Sequence, residues 1–286
     1  MKTRIITALV GIVVLIGVLF TFDTLVFNLV IAAITLLAIH EIYSALGFEK
    51  KDWLLYAVMV PYTLLIMLSS YQVCRRLVMP ASFLLVLFYA IYLVVRNGDI
   101  SYQKASGLVM FSAIVVFCFY SFIRLKELLP VETYGYDAIF FILLILCFAW
   151  GGDTCAYFAG RAFGKHKLCP VVSPKKTVEG AIGGVLGTMV FGVIVTLIYS
   201  VAADRMEAFT RSNIGVSMYV IIALLACIAA VLGIYGDLFA SVVKRQCGIK
   251  DYGTIFPGHG GILDRFDSVM FIAPFVTMVI IAVFYH

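Results

Sequence analysis

Ionisable side chains concentrate in residues 236–267, which read GDLFASVVKRQCGIKDYGTIFPGHGGILDRFD. Asp237 stands near the start of this stretch and Asp264 and Asp267 at its end, with basic residues between them. The glycines and Pro257 prevent the whole stretch from forming a lipid-facing helix, although apolar segments flank it on both sides. Carboxylates bind divalent cations and basic side chains bind phosphate. The pattern therefore indicates a site for a charged, phosphate-bearing molecule beside a bilayer.

Two aspartates lie deep within apolar segments. Asp153 precedes Arg161 by eight residues, and Asp237 precedes Lys244 by seven. At about 1.5 Å of rise per residue, each carboxylate would lie roughly 10–12 Å below the basic end of its helix. A carboxylate at that depth costs several kcal/mol unless a cation, a metal ion or a water-filled pocket compensates it. The simpler alternative is an ion pair between helices.

The helix that carries Asp237 is predicted to present a graded face. Ser241, Lys244 and Arg245 follow Asp237 by 4, 7 and 8 residues, so all of them share one side of the helix. The face would run from a carboxylate, through a hydroxyl, to two cations near the membrane surface. A metal ion at the deep end and phosphates at the shallow end would fit this gradient.

Asp264 and Asp267 are three residues apart, where another helix is predicted to begin. Aspartates in a first turn stabilise a helix by capping it and by favouring its dipole, and this is the simpler role. Two carboxylates exceed what a cap needs, however. Mg²⁺ prefers one or two protein carboxylates, completed by water and substrate phosphates. Asp237 with Asp264, or Asp237 with Asp267, is therefore a candidate magnesium site.

A second basic loop, residues 161–180, is the predicted cationic partner. Ser173-Pro174 has the pattern of an N-cap followed by proline at the first helical position. Lys175 and Lys176 would then lie in the first turn of a helix, where backbone N–H groups point outward and bind anions. The alternative is a cytoplasmic loop whose lysines only set the topology, which would leave the Ser-Pro pair unexplained.

The elements that must position these residues are transmembrane helices. Of 286 residues, 63% are hydrophobic and only 13% are charged, a balance typical of a polytopic membrane protein. The net charge of +5 argues against bulk nucleic-acid binding, and the seven cysteines form no C-x-x-C pair that would indicate a zinc or redox site. A spanning helix needs ~20 apolar residues. About nine segments qualify: 5–22, 24–46, 53–72, 77–95, 107–125, 137–160, 178–201, 215–243 and 267–285.

The expected fold class is therefore all-α, a single integrated membrane domain. Residues 1–136 would form an N-terminal scaffold of about five spans, and residues 137–286 a catalytic region of about four spans. With a cytoplasmic N-terminus, most lysines and arginines lie on the cytoplasmic side, as the positive-inside rule requires. The polar loops 161–176 and 244–266 then both face the cytoplasm.

Four glycines on one side of the seventh span favour close helix packing: Gly180, Gly183, Gly184 and Gly187.

One ionisable pair, His40-Glu41, lies inside the second predicted span. Such groups are costly in a membrane and face the bundle interior or a cavity. Glu41 could line the site. Because it lies five residues before Leu46, it could instead extend its carboxylate to the membrane surface. His40 is better explained as a hydrogen-bonded interior histidine.

The spacing of these residues resembles the signature of the phosphatidate cytidylyltransferases, or CDP-diacylglycerol synthases. The match reads Ser241-Val-Val-Lys244-Arg245, then Lys250-Asp251, then Pro257-x-His259-Gly260-Gly261-x-x-Asp264-Arg265-x-Asp267. Three upstream elements also match: Asp153-Thr154-x-Ala156-Tyr157-x-x-Gly160-Arg161-x-Phe163-Gly164, Ser173-Pro174-Lys175-Lys176-Thr177-x-Glu179-Gly180 and Gly236-Asp237-Leu238. The motifs cover residues 150–268, whereas the first half of the chain resembles the family only in its hydrophobic layout.

The resemblance implies condensation of CTP with phosphatidate, giving CDP-diacylglycerol and pyrophosphate. It implies Mg²⁺ on Asp237 and Asp264 with Asp267 close by, a second, monovalent cation, and a homodimer among membrane lipids. We expect the bacterial inner membrane, with the site facing the cytoplasm and no nucleic-acid partner. The residues expected to act in catalysis are Asp237, Asp264, Asp267, Lys244, Arg245 and His259. Those expected to bind substrate are Asp153, Ser173, Lys175, Lys176, Thr177, Glu179, Ser241, Lys250, Asp251 and Arg265.

The expected chemistry is mainly electrostatic. A phosphate-monoester oxygen of phosphatidate is already anionic near pH 7, because its second pKa is ~6, so no strong general base is needed. The candidates to neutralise the triphosphate or the lipid phosphate are Lys175, Lys176, Lys244 and Arg245. His259 could donate to a phosphate oxygen or could fix its glycine-flanked turn.

Three other functions remain as alternatives. A secondary transporter would also hold buried charges and broken helices, but it predicts an inverted repeat and a midplane site, and no repeat is visible. The closer alternative is the same transfer to an isoprenoid-ether lipid phosphate. The sequence hardly distinguishes this acceptor from phosphatidate. A phospholipid synthase that consumes CDP-lipid should carry a D-G-x-x-A-R cluster, which is absent from the sequence.

Overall fold

Helices account for most of the computed structural model, which describes residues 2–205, 215–258 and 260–284. The first helices are α1 (Lys2–Phe20), α2 (Leu25–Ala45), a 3₁₀ turn at Lys50–Asp52, α3 (Trp53–Ala57), α4 (Met59–Met67), α5 (Gln72–Val95) and α6 (Tyr102–Leu128). Then follow α7 (Val131–Tyr134), α8 (Asp137–Leu146), a π-helical turn at Cys147–Gly151 and α9 (Gly152–Phe163). After the strands β1 (Lys167–Cys169) and β2 (Ser173–Thr177) come α10 (Val178–Arg205), α11 (Val216–Gln246), α12 (Leu263–Phe266) and α13 (Val269–Phe284).

Six helices within the described ranges are long and apolar enough to cross a membrane, which confirms a helical integral membrane protein. They coincide with six predicted spans: Leu25–Ala45, Gln72–Val95, Tyr102–Leu128, Asp137–Phe163, Val178–Ala203 and Val216–Gln246. The segments predicted at 5–22 and 267–285 contain shorter apolar helices, Leu9–Phe20 and Val269–Val283. The total of nine spans stays a prediction.

The segment expected to form the third span, residues 53–72, is divided at Val58 into α3 and α4. Proline has no N–H and its ring clashes with the carbonyl four residues earlier, so Pro61 disfavours a helix that continues from α3. Pro61 instead lies in the first turn of α4, where an N–H has no intrahelical partner. The segment is therefore divided into two helices, and its place as the third of nine spans stays a prediction.

The chain divides into two compact units, one of residues 1–123 and 246–265 and the other of residues 124–245 and 266–286. In the first unit, α4 packs against both α2 and α5. In the second, the π-helical turn packs against α10 and α13, and α9 packs along α10. The division of roles between a scaffold at 1–136 and a catalytic region at 137–286 stays a prediction about function.

The glycines of α10 allow the close contact with α9 that the sequence predicts. A Cβ at Gly184 would lie 3.0 Å from the Cβ of Ala156 and 3.2 Å from the carbonyl oxygen of Gly152. A Cβ at Gly180 would lie 2.8 Å from the carbonyl oxygen of Ala156. The two helix backbones therefore approach at a distance that only small residues permit.

Replacing Gly183 with alanine is expected to destabilise the protein by about 1–3 kcal/mol, because the added Cβ would overlap that of Ala159. Gly17→Ala in α1 is a matched control, since no heavy atom lies within 4 Å of its added Cβ. In a helix, alanine is more favourable than glycine by roughly 0.5–1 kcal/mol, so the control variant should not lose stability. Thermal unfolding in one detergent should show a lower midpoint for Gly183→Ala only. Equal midpoints would contradict tight packing of α9 on α10.

β1 and β2 form a small antiparallel ribbon within the otherwise helical fold. Lys167 pairs with Thr177, and Cys169 pairs with Ser173. The residue before a proline favours extended backbone, so Ser173 is biased towards a strand by Pro174. A two-stranded ribbon tolerates this proline because its missing N–H is not needed on an open edge.

The ribbon corrects one prediction. Ser173 does not cap a helix, and Lys175 and Lys176 lie in β2 rather than in a first helical turn. Instead α10 begins at Val178, and the Thr177 hydroxyl caps it by accepting the N–H three residues further on at 3.1 Å. The two lysines therefore precede the helix, and the anion-binding argument based on its first turn does not apply to them.

Candidate active site

β2 and α11 bring Lys176 beside Asp237. The Lys176 ammonium forms an ion pair with Oδ2 of Asp237, and the two side chains are only 25% and 23% exposed. Ser241, one turn along α11, donates from Oγ to Asp237 Oδ1 at 3.3 Å. The predicted common face of Asp237 and Ser241 is therefore confirmed. A partly buried ion pair of this kind is less screened by salt than a surface pair.

Further carboxylates lie at the start of the last apolar helix. Asp267, just before α13, is buried, and its Oδ2 lies 4.0 Å from Nζ of Lys244 on α11. Its Oδ1 accepts the N–H of Ser268 at 2.9 Å, and the Ser268 hydroxyl donates to Oδ2 of Asp153 on α9 at 3.0 Å. We call the carboxylates of Asp153, Asp237 and Asp267, all in the second unit, the carboxylate cluster.

Close approach of α11 to the chain at Asp267 depends on Gly236. A Cβ at this position would lie 2.5 Å from the carbonyl oxygen of Asp267 and 3.1 Å from the ring of Phe271. A larger residue would push α11 away from the segment that carries Asp267. This contact gives a physical reason for a glycine directly before Asp237.

The π-helical turn at Cys147–Gly151 ends two residues before Asp153, which lies in the first turn of α9. Such turns insert an extra residue into a helix and are frequent at functional sites. Adjacent glycines let this turn lie against α10, since a Cβ at Gly152 would lie 2.6 Å from the hydroxyl oxygen of Thr188. Hydropathy could not predict this turn, because it is a feature of the backbone hydrogen bonds rather than of side-chain polarity.

The members of the carboxylate cluster affect one another electrostatically. Asp267 is buried, and burial and neighbouring carboxylates disfavour the charged form of a carboxyl, whereas Lys244 favours it. Lys176 and Lys244 each lie beside one carboxylate of this cluster. Additional positive charge would therefore stabilise the ionised form of Asp267.

The residues of the cluster fit a magnesium ion that is shared with substrate. Within the described ranges, no group of three or more histidine, cysteine, aspartate or glutamate side chains is arranged to hold a metal ion. Mg²⁺ needs no such cage, because it binds through one or two carboxylates and keeps waters and substrate phosphates as its other ligands. Asp237 and Asp267 supply that number of carboxylates in surroundings that favour added positive charge.

Asp264, the third predicted metal ligand, belongs to the first unit. Its Oδ2 accepts the N–H of Tyr252 at 2.8 Å and that of Gly261 at 2.9 Å. Gly260 has a φ of +87°, a left-handed conformation that favours glycine. Residues 247–258 and 260–264, which we call the signature loop, thus contribute two backbone N–H groups to the buried carboxylate of Asp264.

The other predicted site residues have varied surroundings. Glu179 accepts the N–H of Lys165 at 3.1 Å, and its Oε1 lies 2.6 Å from Nδ1 of His166. These contacts fix the position of the loop before β1. Thr177 caps α10, and Ser173 belongs to the ribbon. Six predicted site residues are exposed: Asp153, Lys175, Arg245, Lys250, Asp251 and Arg265. His259 lies outside the described residues.

Two residues gain a role that the sequence did not assign. Ser268 joins Asp267 to Asp153, and no local pattern marks a serine at that position as a bridge. Glu41, whose role the sequence left open, accepts two backbone N–H groups of the signature loop. Its signal was an acidic side chain in an apolar helix, which shows that a partner exists but not which one.

The matched family defines the class of protein. Residues 2–283 match the sequence model of the Cytidylyltransferase family, so the chain belongs to that family. It is a membrane-bound nucleotidyltransferase, and the resemblance seen in the motifs is confirmed. Family membership favours the enzyme over the transporter.

Similar curated proteins carry the name phosphatidate cytidylyltransferase. The protein from Staphylococcus saprophyticus is 33% identical over 296 residues, covering 99% of this chain and 100% of the relative. The one from Staphylococcus haemolyticus is 31% identical over 294 residues, covering 98% and 99%. The match to the Bacillus subtilis protein is 34% identical over 191 residues and covers 67% of this chain and 64% of that relative.

Proposed function

We propose that this chain transfers the cytidylyl group of CTP to phosphatidate in a magnesium-dependent reaction that yields CDP-diacylglycerol and pyrophosphate. The name shared by its relatives supports the choice of substrates. The observation that carries the proposal is the pairing of Lys176 with Asp237, on a helix that also bears Ser241 and Lys244. This arrangement joins acidic groups suited to a divalent cation with basic groups suited to phosphates.

The proposed reaction is a direct in-line displacement. A phosphate oxygen of phosphatidate attacks the α-phosphorus of CTP, a new P–O bond forms, and the bond to the β-phosphate breaks so that pyrophosphate leaves. The attacking oxygen is already anionic near pH 7, since the second pKa of a phosphate monoester is ~6, and it needs no strong general base. When bound, Mg²⁺ supplies positive charge that offsets the repulsion between the two substrates and the charge on the leaving group.

Acidic and basic side chains of the second unit would already be oriented for the metal ion and the phosphates before substrate binds. Asp237 and Asp267 would bind the metal ion, with Asp264 as the further candidate ligand. Lys176 and Lys244 would neutralise phosphate oxygens, since each already lies beside one of these carboxylates. Groups fixed in advance by ion pairs and hydrogen bonds need little reorganisation during the reaction, which is a main source of catalysis.

The proposal extends to the setting of the enzyme. The distribution of basic residues supports a site that faces the cytoplasm from the inner membrane. His259 would donate to a phosphate oxygen or fix its turn. A homodimer and a second, monovalent cation are proposed from the family resemblance alone.

Purified protein supplied with labelled CTP, phosphatidate and Mg²⁺ should form a chloroform-soluble cytidine product. EDTA should abolish its formation and excess Mg²⁺ should restore it, because the carboxylate cluster alone would repel the triphosphate. An isoprenoid-ether lipid phosphate, tested in parallel, should react more slowly than phosphatidate. Full activity without divalent ions would contradict the metal requirement, and a product from the ether lipid only would contradict the proposed substrate.

A further inference from the structure

Glu41 of α2 is bound to the signature loop of the same unit. Its Oε1 accepts the N–H of Ile262 at 2.8 Å, and its Oε2 accepts the N–H of Leu263 at 2.9 Å. The residue is 3% exposed, so both bonds form away from water. Two hydrogen bonds to one carboxylate, across more than 200 residues of sequence, fix this part of the loop to a long apolar helix.

The glycines of the loop make room for this carboxylate. A Cβ at Gly253 would lie 2.5 Å from Oε1 of Glu41, and a Cβ at Gly261 would overlap the carboxylate itself. Gly261 also donates its N–H to Asp264, and Ile262 and Leu263 are the two residues directly before Asp264. The backbone that Glu41 holds is therefore the backbone that orients the Asp264 carboxylate.

We propose that Glu41 is a positioning residue that sets the orientation of Asp264 and acts on the reaction only through it. The inference rests on the proposed function, in which Asp264 is a candidate ligand of the metal ion. Two other roles for Glu41 do not fit its contacts. Its carboxylate is shielded from solvent rather than extended into it, and each of its oxygens already accepts a backbone N–H, which disfavours direct metal binding.

The variant Glu41→Gln tests the inference with little change of shape. Its amide has one oxygen in place of two, so one loop N–H loses its acceptor and faces an NH₂ group instead. Partners that orient a metal ligand contribute about 10–100-fold to metal affinity. We expect Mn²⁺ affinity, measured without turnover from the signal of free Mn²⁺ in electron paramagnetic resonance, to fall by at least ~10-fold. Amide hydrogen exchange over residues 252–264 should accelerate.

Two further variants separate positioning from a general loss of stability. Asn28→Leu is the matched control on α2, since Asn28 is fully buried and donates to the Met67 carbonyl at 2.7 Å, far from the signature loop in sequence. It should lower the unfolding midpoint but leave Mn²⁺ affinity and loop exchange unchanged. Gly261→Ala should reproduce the effects of Glu41→Gln from the loop side, because its Cβ would displace the carboxylate.

The outcomes are distinguishable. If Glu41→Gln keeps wild-type Mn²⁺ affinity and loop exchange, or if Asn28→Leu changes both equally, the positioning role is overturned. In turnover assays, Glu41→Gln should raise the Mg²⁺ concentration needed for half-maximal rate while the KM for phosphatidate stays within about twofold, because no lipid contact is removed. A wild-type protein that forms no lipid-linked cytidine would overturn the proposed function, whereas the exchange and Mn²⁺ results would still test Glu41.

Discussion

Asp237→Asn is expected to reduce the rate of cytidylyl transfer by roughly 10³-fold, the upper range for loss of one electrostatic contact in a transition state. The asparagine side chain keeps the size of the aspartate but carries no charge, so it can neither balance Lys176 nor bind a divalent ion well. The measurement is the initial rate of labelled lipid product over a range of Mg²⁺ concentrations. Excess Mg²⁺ should not restore the rate, because the missing group is a ligand.

A matched control for this substitution is Glu132→Gln. Glu132 is an exposed acidic residue of α7 in the same unit, and its replacement removes the same charge. Its rate should stay within about twofold of the wild type, since surface charges contribute little. If Asp237→Asn retained near-normal activity while eluting as a folded protein in detergent, the assignment of the metal to Asp237 would be lost.

The part of the site that follows from helical spacing could be predicted from the sequence. Asp237 and Ser241 are four residues apart, and the structure joins them by a hydrogen bond because residues at that spacing share a helix face. The packing of α10 on α9 followed in the same way from glycines on one side of a span. Both predictions depend only on local geometry that the sequence specifies directly.

The part that depends on pairing of distant segments could not be predicted. Ser173-Pro174 satisfies the local rule for a helix start, yet the chain uses it in a ribbon because Ser173 finds a partner in Cys169. The hydrogen bonds from Ile262 and Leu263 to Glu41 join residues more than 200 positions apart. A single sequence shows that a buried acid needs a partner, but tertiary packing decides which backbone supplies it.

The segment 53–72 of the first unit shows what hydropathy alone leaves out. Residues 53–72 are apolar enough for a span, but Pro61 divides them between α3 and α4. Hydropathy measures the transfer of side chains into lipid, whereas a proline acts on the backbone hydrogen bonds. The membrane spans with no such conflict, such as α2 and α11, were placed to within a few residues.

The largest expected contrast between neighbouring residues is that between Lys176 and Lys175. Successive side chains of a strand point to opposite faces, so only one of the two lysines of β2 can face α11. The structure pairs Lys176 with Asp237 and leaves Lys175 exposed. We expect Lys176→Met to lower kcat/KM for CTP by about 10²–10³-fold. Lys175→Met, which removes the same charge from the same strand, should cost only about the few-fold effect of an exposed charge.

The Mg²⁺ dependence of Lys176→Met distinguishes two roles of Lys176: binding the nucleotide and attaching β2 to α11 through Asp237. Without its ammonium group, the partly buried Asp237 carboxylate lacks a counter-ion, so it should bind a divalent cation at least as well as before. The Mg²⁺ concentration for half-maximal rate should therefore stay constant or fall while the KM for CTP rises. A larger loss for Lys175→Met than for Lys176→Met would mean that the exposed face of the ribbon receives the nucleotide. The ion pair with Asp237 would then serve only to attach β2 to α11.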